Sequence, residues 1–167
     1  GCASGAGVKT PAYGNFKQPV DPGSGAYVSS TGSAGGGYVK WTTGGFVLAG
    51  TITANGGSEA ASNGAGGGVW ISATGLTQVT GIIRVNGGGS CNSSHGCGAG
   101  GRIALYYDSS ISGSTSRTAI RAQMQAFGGV PSAANTTNRG GAGTVYIEDS
   151  SIHTAGQGDL RVNNNNS

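Results

Sequence analysis

Six carboxylates are the whole acidic inventory of the chain: Asp21, Glu59, Asp108, Glu148, Asp149 and Asp159. Glycoside cleavage usually needs two of them across one cleft, one acting as acid and the other as base or nucleophile. Asp108 and Asp149 are the best pair available, since each follows a comparable apolar stretch and opens an Asp-Ser-Ser triplet. A turn in which each carboxylate bonds its own backbone accounts for the same residues without catalysis. The remaining chemistry is sparse. His95 lies between Cys91 and Cys97, but a metal centre there lacks a fourth ligand and does not match zinc spacing. A Cys91–Cys97 disulfide in a secreted protein is the better use of those residues, two free thiols being the alternative, and Cys2 is left over. Asn92-Ser93-Ser94 and Asn135-Thr136-Thr137 make Asn92 and Asn135 candidate N-glycosylation acceptors. Glycine-rich phosphate-loop matches carry no weight at this glycine content, and regular turn aspartates for calcium are missing. The expectation is a non-enzymatic protein with no cofactor or metal.

Exposed aromatics are the other candidates. Tyr38 or Trp41, Trp70, Tyr106 and Tyr146 occupy comparable strands of successive repeats. Stacked repeats would align them as a ladder. Such a ladder would stack on sugar rings, bury against a neighbouring subunit, or pack over glycine backbone within the fold.

The elements that must position these residues recur. Ala34-Gly35-Gly36-Gly37-Tyr38-Val39 returns 31 residues later as Ala65-Gly66-Gly67-Gly68-Val69-Trp70, and Ile52-Thr53-Ala54-Asn55-Gly56-Gly57 returns as Ile83-Arg84-Val85-Asn86-Gly87-Gly88. A fixed period of this size marks stacked repeats. Copies begin near 34, 65, 99 and 142. Strands are expected over Tyr38–Thr42, Phe46–Ala54, Gln78–Asn86, Ile103–Tyr107, Val145–Ile147 and Leu160–Val162, with Gly50 and Gly81 bending the two long ones. Thr118–Ala126 is read as strand, although Ile120, Met124 and Phe127 also fit a helical face. Val145 and Ile147 are expected to face in, Tyr146 and Glu148 out. Residues 1–30 carry Pro11, Pro19 and Pro22 and read as an irregular cap or docking arm; 31–162 form the repeat domain; 163–167 are an Asn-rich tail or linker. The chain opens at Gly1 without methionine or signal peptide, so it reads as a processed product or a segment of something longer.

Thirty-six glycines among 167 residues need a physical reason, because glycine loses more backbone entropy on ordering than any other residue. Either the glycines sit at the corners of a parallel β-helix, where the backbone needs positive φ or very close approach, or glycine runs pack backbone to backbone as polyproline-II-like segments, and the two can coexist in one solenoid. Charged residues are only 9% and the net charge is +3, which argues against disorder and against a nucleic-acid partner. No apolar stretch approaches the ~20 residues of a membrane span.

The strings Gly64-Ala65-Gly66-Gly67-Gly68-Val69-Trp70-Ile71, Gly50-Thr51-Ile52-Thr53-Ala54-Asn55-Gly56-Gly57, Gly100-Gly101-Arg102-Ile103-Ala104-Leu105-Tyr106 and Ala142-Gly143-Thr144-Val145-Tyr146-Ile147 resemble glycine-rich repeat regions of large secreted or cell-surface proteins. The resemblance covers roughly residues 23–162. It implies a β-solenoid-like architecture and an adhesin, matrix or appendage role, with no catalytic residue to carry over. The expected fold is therefore all-β, a glycine-rich repeat solenoid of the parallel β-helix type, the alternative being a β-sandwich with polyproline-II-like glycine segments. The expected function is an extracellular or cell-surface building unit of a fibre, matrix or appendage, whose partners are copies of itself or neighbouring subunits. A glycan-binding adhesin is the alternative, and a polysaccharide-acting enzyme the second.

Overall fold

A computed structural model describes residues 13–28, 31–75, 77–92, 95–108, 117–132 and 138–165. Short strands dominate: β1 (Ala26–Val28), β2 (Thr31–Ser33), β3 (Tyr38–Thr43), β4 (Phe46–Leu48), β5 (Thr51–Thr53), β6 (Gly68–Ala73), β7 (Thr77–Val79), β8 (Ile82–Arg84), β9 (Arg102–Tyr107), β10 (Met124–Gln125), β11 (Thr144–Asp149) and β12 (Asp159–Val162). The chain is mostly strand, as expected of an all-β protein. The sheets are small and mixed. The largest runs β12-β11-β9-β6-β3, a second β10-β8-β5, a third β4-β7, and β1-β2 is an antiparallel hairpin across the 30/31 boundary. Within the large sheet Tyr38 pairs with Gly68, Gly68 with Arg102 and Arg102 with Thr144, all parallel, while β12 closes the far side antiparallel.

Period-2 alternation sets the faces. Val69, Ile71, Ile103, Leu105, Val145 and Ile147 of the large sheet all point into the core and meet Phe46, Leu48, Val79, Ile83 and Val85. The stretches expected as single strands over Phe46–Ala54 and Gln78–Asn86 each divide near Gly50 and Gly81, and the two halves join different sheets.

Thr118–Ala126, read as strand, is a helix first: α1 (Arg117–Ala122), then the two-residue β10. Ile120 and Met124, one helical turn apart, are both fully buried in the core. That spacing satisfies a helical face as well as a strand, and tertiary packing decides between them.

The glycine runs between strands form two facing layers of backbone. Segments 34–37, 64–67, 98–101 and 140–143 make the first; 54–57, 85–88 and 126–129 make the second. Neighbours within a layer are joined by Gly36 N–H to Ala65 C=O, Gly66 to Ala99 and Gly100 to Gly141 in the first, and by Gly56 to Asn86 and Gly87 to Phe127 in the second, all 2.8–2.9 Å. Across the layers, Gly64 and Gly67 donate to Gly57 and Ala54, Gly98 and Gly101 to Gly88 and Val85, and Gly140 and Gly143 to Gly129 and Ala126. Each pair of donors is three residues apart and each pair of acceptors three apart in reverse. A three-residue turn without internal hydrogen bonds is the polyproline-II period.

In these layers glycine serves close backbone approach rather than positive φ. Positive φ occurs at only two described glycines, Gly14 and Gly156. At Gly66, by contrast, an added Cβ would fall inside the carbonyl oxygen of Val85.

Candidate functional site

Trp70, Tyr106 and Tyr146 stand on the face of the large sheet opposite the core. In register, Lys40, Trp70, Ala104 and Tyr146 form one row and Thr42, Ser72, Tyr106 and Glu148 the next. The rings form a continuous line: Trp70 to Tyr106 6.5 Å, Tyr106 to Tyr146 5.7 Å, and Tyr146 to Phe16 5.6 Å between centroids. Phe16 belongs to the irregular arm, which covers the Tyr106–Tyr146 end of the ladder, while Lys40 Nζ of β3 lies 4.1 Å from the Trp70 ring centroid. Lys17 C=O accepts from the Tyr106 hydroxyl (2.7 Å), and Lys17 Nζ lies 5.7 Å from the Tyr146 centroid and donates to Gly156 C=O.

Tyr146 and Glu148, expected to face out, do point away from the core, yet they are 1% and 8% exposed. The Tyr146 hydroxyl donates to Glu148 Oε2 (2.6 Å) and accepts from Gly158 N–H (2.8 Å), while the Glu148 carboxylate accepts from Gly156 N–H (3.0 Å). Loop 154–158 is thereby tied down beside the arm. Burial, then the neighbouring Tyr146 and Glu148, push the Tyr106 phenol up to about 12. Burial and the bond to Glu148 raise Tyr146 as well, against a lowering by the Gly158 bond. Both phenols stay protonated and act as donors. The outward ladder is mostly a packing surface.

Tyr38 and Trp41 are placed differently. Tyr38 shares the outward face, half-buried. Trp41 lies on the core face: it continues the row Ile71, Leu105, Ile147, and as the last member of that row it is 50% exposed, resting edge-on against Phe46 at 5.7 Å. It marks one end of the stack. There β3, β4 and β5 are each the last strand of their sheets, and no described strand pairs beyond them.

Cys91 and Cys97 form a disulfide, Cα atoms 5.2 Å apart and both buried. With the sulfurs bonded to each other, neither is a thiolate ligand. His95 Nδ1 shares a hydrogen bond with Asn92 Oδ1 at 2.8 Å. Asn92 itself is exposed; Asn135, Cys2 and most of the Ser109–Arg117 and Val130–Asn138 insertions lie outside the described residues. Asp108 accepts from the Ser150 hydroxyl (2.7 Å), and Asp149, 3% exposed, accepts from the Ser151 N–H and hydroxyl (3.0 and 2.6 Å). The Asp149 bonds are those an Asp-Ser-Ser triplet makes locally, whereas the Asp108 bond reaches 42 residues along the chain to the next repeat. No group of three or more His, Cys, Asp or Glu suited to a metal ion occurs among the described residues, and no helix among them is long and apolar enough to cross a membrane.

Two features carried no signal in single residues. One is a row of asparagine amides: Asn55 Oδ1 accepts Asn86 N–H (2.8 Å) and Asn86 Oδ1 accepts Phe127 N–H (2.9 Å). The asparagine at the same place in two repeats was the available clue. The other is a groove of about 440 Å³ between the arm and the first glycine layer. No protein-family model, curated protein or solved structure matches the chain.

Proposed function

We propose that the chain is a glycine-rich β-solenoid unit, extracellular and non-enzymatic, that stacks end to end into a fibre, matrix or appendage. One observation carries this reading. At Gly75 and Gly81 the missing side chain points at the carbonyl oxygens of Gly44 and Gly50 in the preceding repeat. At Gly44 and Gly50 it points the same way along the stack, off the open end, and meets nothing within 4 Å. A glycine in that position serves close approach only if another backbone comes up against it. The three unpaired edges β3, β4 and β5, with half-exposed Trp41 and exposed Val47 beside them, supply hydrogen-bonding and apolar surface for that approach.

The other end of the large sheet is β12, beyond which no strand pairs among the described residues and which carries exposed Leu160 and Val162. Docking β12 of one copy on β3 of the next is a heterologous contact, and such contacts give filaments when the rotation does not close. The disulfide is compatible with an oxidising compartment. Glycan binding by the aromatic row is less well supported, because the arm covers Tyr106 and Tyr146 and Lys40 covers Trp70.

The test is light scattering and electron microscopy across a concentration series, for the native chain and Gly50→Leu. The expected result is concentration-dependent filaments of constant axial repeat for the native chain, and single particles with a melting temperature no lower for Gly50→Leu. Single particles of the native chain at every concentration would overturn the proposal.

A further inference from the structure

The groove over the first glycine layer begins where a third layer of backbone stops. Residues 23–25 of the arm, Gly-Ser-Gly, start such a layer: Gly23 N–H donates to Gly36 C=O (2.8 Å), and Ser24 C=O accepts from Ala65 N–H (2.9 Å). Gly35 permits this, since a Cβ on it would overlap the carbonyl oxygen of Gly23. In register, Gly35 is followed along the stack by Ala65 and then Ala99. Their methyl groups stand where further segments docked in this way would each put a carbonyl, so the layer does not continue. The backbone groups that would have held it remain. Gly66 C=O and Ala99 N–H, then Gly100 C=O and Gly141 N–H, correspond to Gly36 C=O and Ala65 N–H, and none of the four has a hydrogen-bond partner among the described residues. Acceptor and donor thus recur from repeat to repeat at the ~4.8 Å spacing of neighbouring strands.

The resulting groove of about 440 Å³ falls in the size range of small-molecule sites. Its walls are aromatic and cationic. Tyr13 and Phe16 line it, and the Arg102 guanidinium carbon lies 5.1 Å from the Tyr13 ring centroid. Arg102 is the one charged residue in the lining among the described residues. Its guanidinium makes no hydrogen bond and no ion pair with any of them; the Asp21 carboxylate, also beside Gly14, stays outside ion-pair distance. Thr144, next to Arg102 in the same register row, closes the far end, and its hydroxyl has no partner among the described residues.

These features select one kind of ligand. Methyl groups and aromatic rings favour the C–H face of a saturated ring. Alternating C=O and N–H groups suit hydroxyls, each of which both donates and accepts. A guanidinium with unused N–H groups takes a carboxylate through two parallel bonds. An extended peptide fits less well, because its carbonyls meet the Ala65 and Ala99 methyls. We infer that the groove binds an acidic pyranose unit of a polysaccharide, with its carboxylate on Arg102, its ring against Tyr13, and its hydroxyls on Ala99 N–H and Gly100 C=O. This surface is not the outward row of Trp70, Tyr106 and Tyr146, and the inference does not depend on end-to-end stacking.

Titration followed by residue-resolved amide shifts tests it. The probe is tetragalacturonate, compared with neutral cellotetraose and with tetraglutamate, on the native chain, Arg102→Gln and Tyr13→Ala. The amide of Val69, in the buried core, reports an intact fold, and Tyr13→Ala, on the arm, keeps the test open if Arg102→Gln fails to fold. The expected result is a saturable shift of the Ala99 and Gly100 amides by tetragalacturonate, with affinity at least about tenfold lower in Arg102→Gln, the size of one lost charge-assisted contact. Tyr13→Ala should weaken binding as well, and cellotetraose should bind the native chain at least about tenfold less tightly than tetragalacturonate. No saturable shift at Ala99 and Gly100, equal affinity for cellotetraose, or unchanged affinity in folded Arg102→Gln or Tyr13→Ala would overturn the assignment. Equal binding of tetraglutamate would also overturn it, in favour of an acidic peptide.

Discussion

Behind the large sheet, Val69, Ile71, Ile103 and Leu105 are fully buried and fill space with side chains. A few residues along the same chain, the two glycine layers fill space with backbone alone. The first region is held by removal of apolar surface from water, about 1.5–3 kcal/mol for each such side chain. The second has almost no side chain to bury. Its stability comes from hydrogen bonds worth about 1 kcal/mol each net and from dispersion between backbones at contact distance. The two regions should therefore respond oppositely to a change of volume. The side-chain core suffers when atoms are removed; the glycine core suffers when a single carbon is added.

The largest effect is expected at Gly100. Its added Cβ would overlap the carbonyl oxygen of Ala126 and lie 2.6 Å from Gly143 N, and both obstacles are backbone. No rotamer change relieves such a contact, so the layers must part. Gly100→Ala should cost more than about 4 kcal/mol or abolish folding, a size reserved for a few mechanisms, read from urea denaturation. Ile103→Ala comes next, at about 2–5 kcal/mol for the cavity it leaves. If Gly100→Ala proved milder than Ile103→Ala, the glycine layers would be soft and the comparison would fail.

Much of this division was legible in the sequence, and the limits have physical causes. The repeats near 34, 65, 99 and 142, the alternating strands and the bends at Gly50 and Gly81 follow from period-2 patterning and glycine placement, both local. The Cys91–Cys97 pairing follows from a short polar loop. The function of the glycine runs was ambiguous, since a corner with positive φ and a close backbone approach both demand glycine; only the partner across the gap distinguishes them, and that partner is remote in sequence. The same remoteness hid the covering of Tyr146 and Glu148. Period-2 patterning places them correctly on the outward face, but it is blind to Phe16 and Lys17 arriving from an irregular segment. The helix at Arg117–Ala122 was missed because six residues carry too few turns for a period to assert itself.

A smaller effect sharpens the contrast at the C-terminal border of the glycine region. Among the described residues no further glycine segment lies beside 126–129 and 140–143, and Asn164 takes its place: its Oδ1 accepts from Gly128 N–H (2.6 Å) and its Nδ2 donates to Gly140 C=O (3.0 Å). One side-chain amide thus imitates a peptide group of the missing neighbour. Asn164→Ala should cost about 1–3 kcal/mol, the range for partly buried backbone groups left unpaired, and should speed exchange at Gly128 before any other glycine amide in the layers. Uniform loss of protection across both layers would mean that they open as one unit.

The smallest effect has the opposite sign, and it joins the comparison to the question of assembly. Gly50 and Gly81 occupy the same bend in successive repeats. At Gly81 an added Cβ would overlap the carbonyl oxygen of Gly50; at Gly50 it would meet nothing within 4 Å. Neither has positive φ, so alanine fits the backbone at both. Gly81→Ala should therefore be severely destabilising. Gly50→Ala should stabilise the isolated chain by about 0.4–1 kcal/mol, because alanine restricts the unfolded chain without straining the folded one. Thermal unfolding of dilute protein measures this. If the space off Gly50 is where the next copy's backbone sits, the same substitution weakens filaments while strengthening the monomer. A Gly50→Ala chain that is more stable and still assembles as the native chain does would show that copies meet elsewhere, and would leave the open end as plain surface.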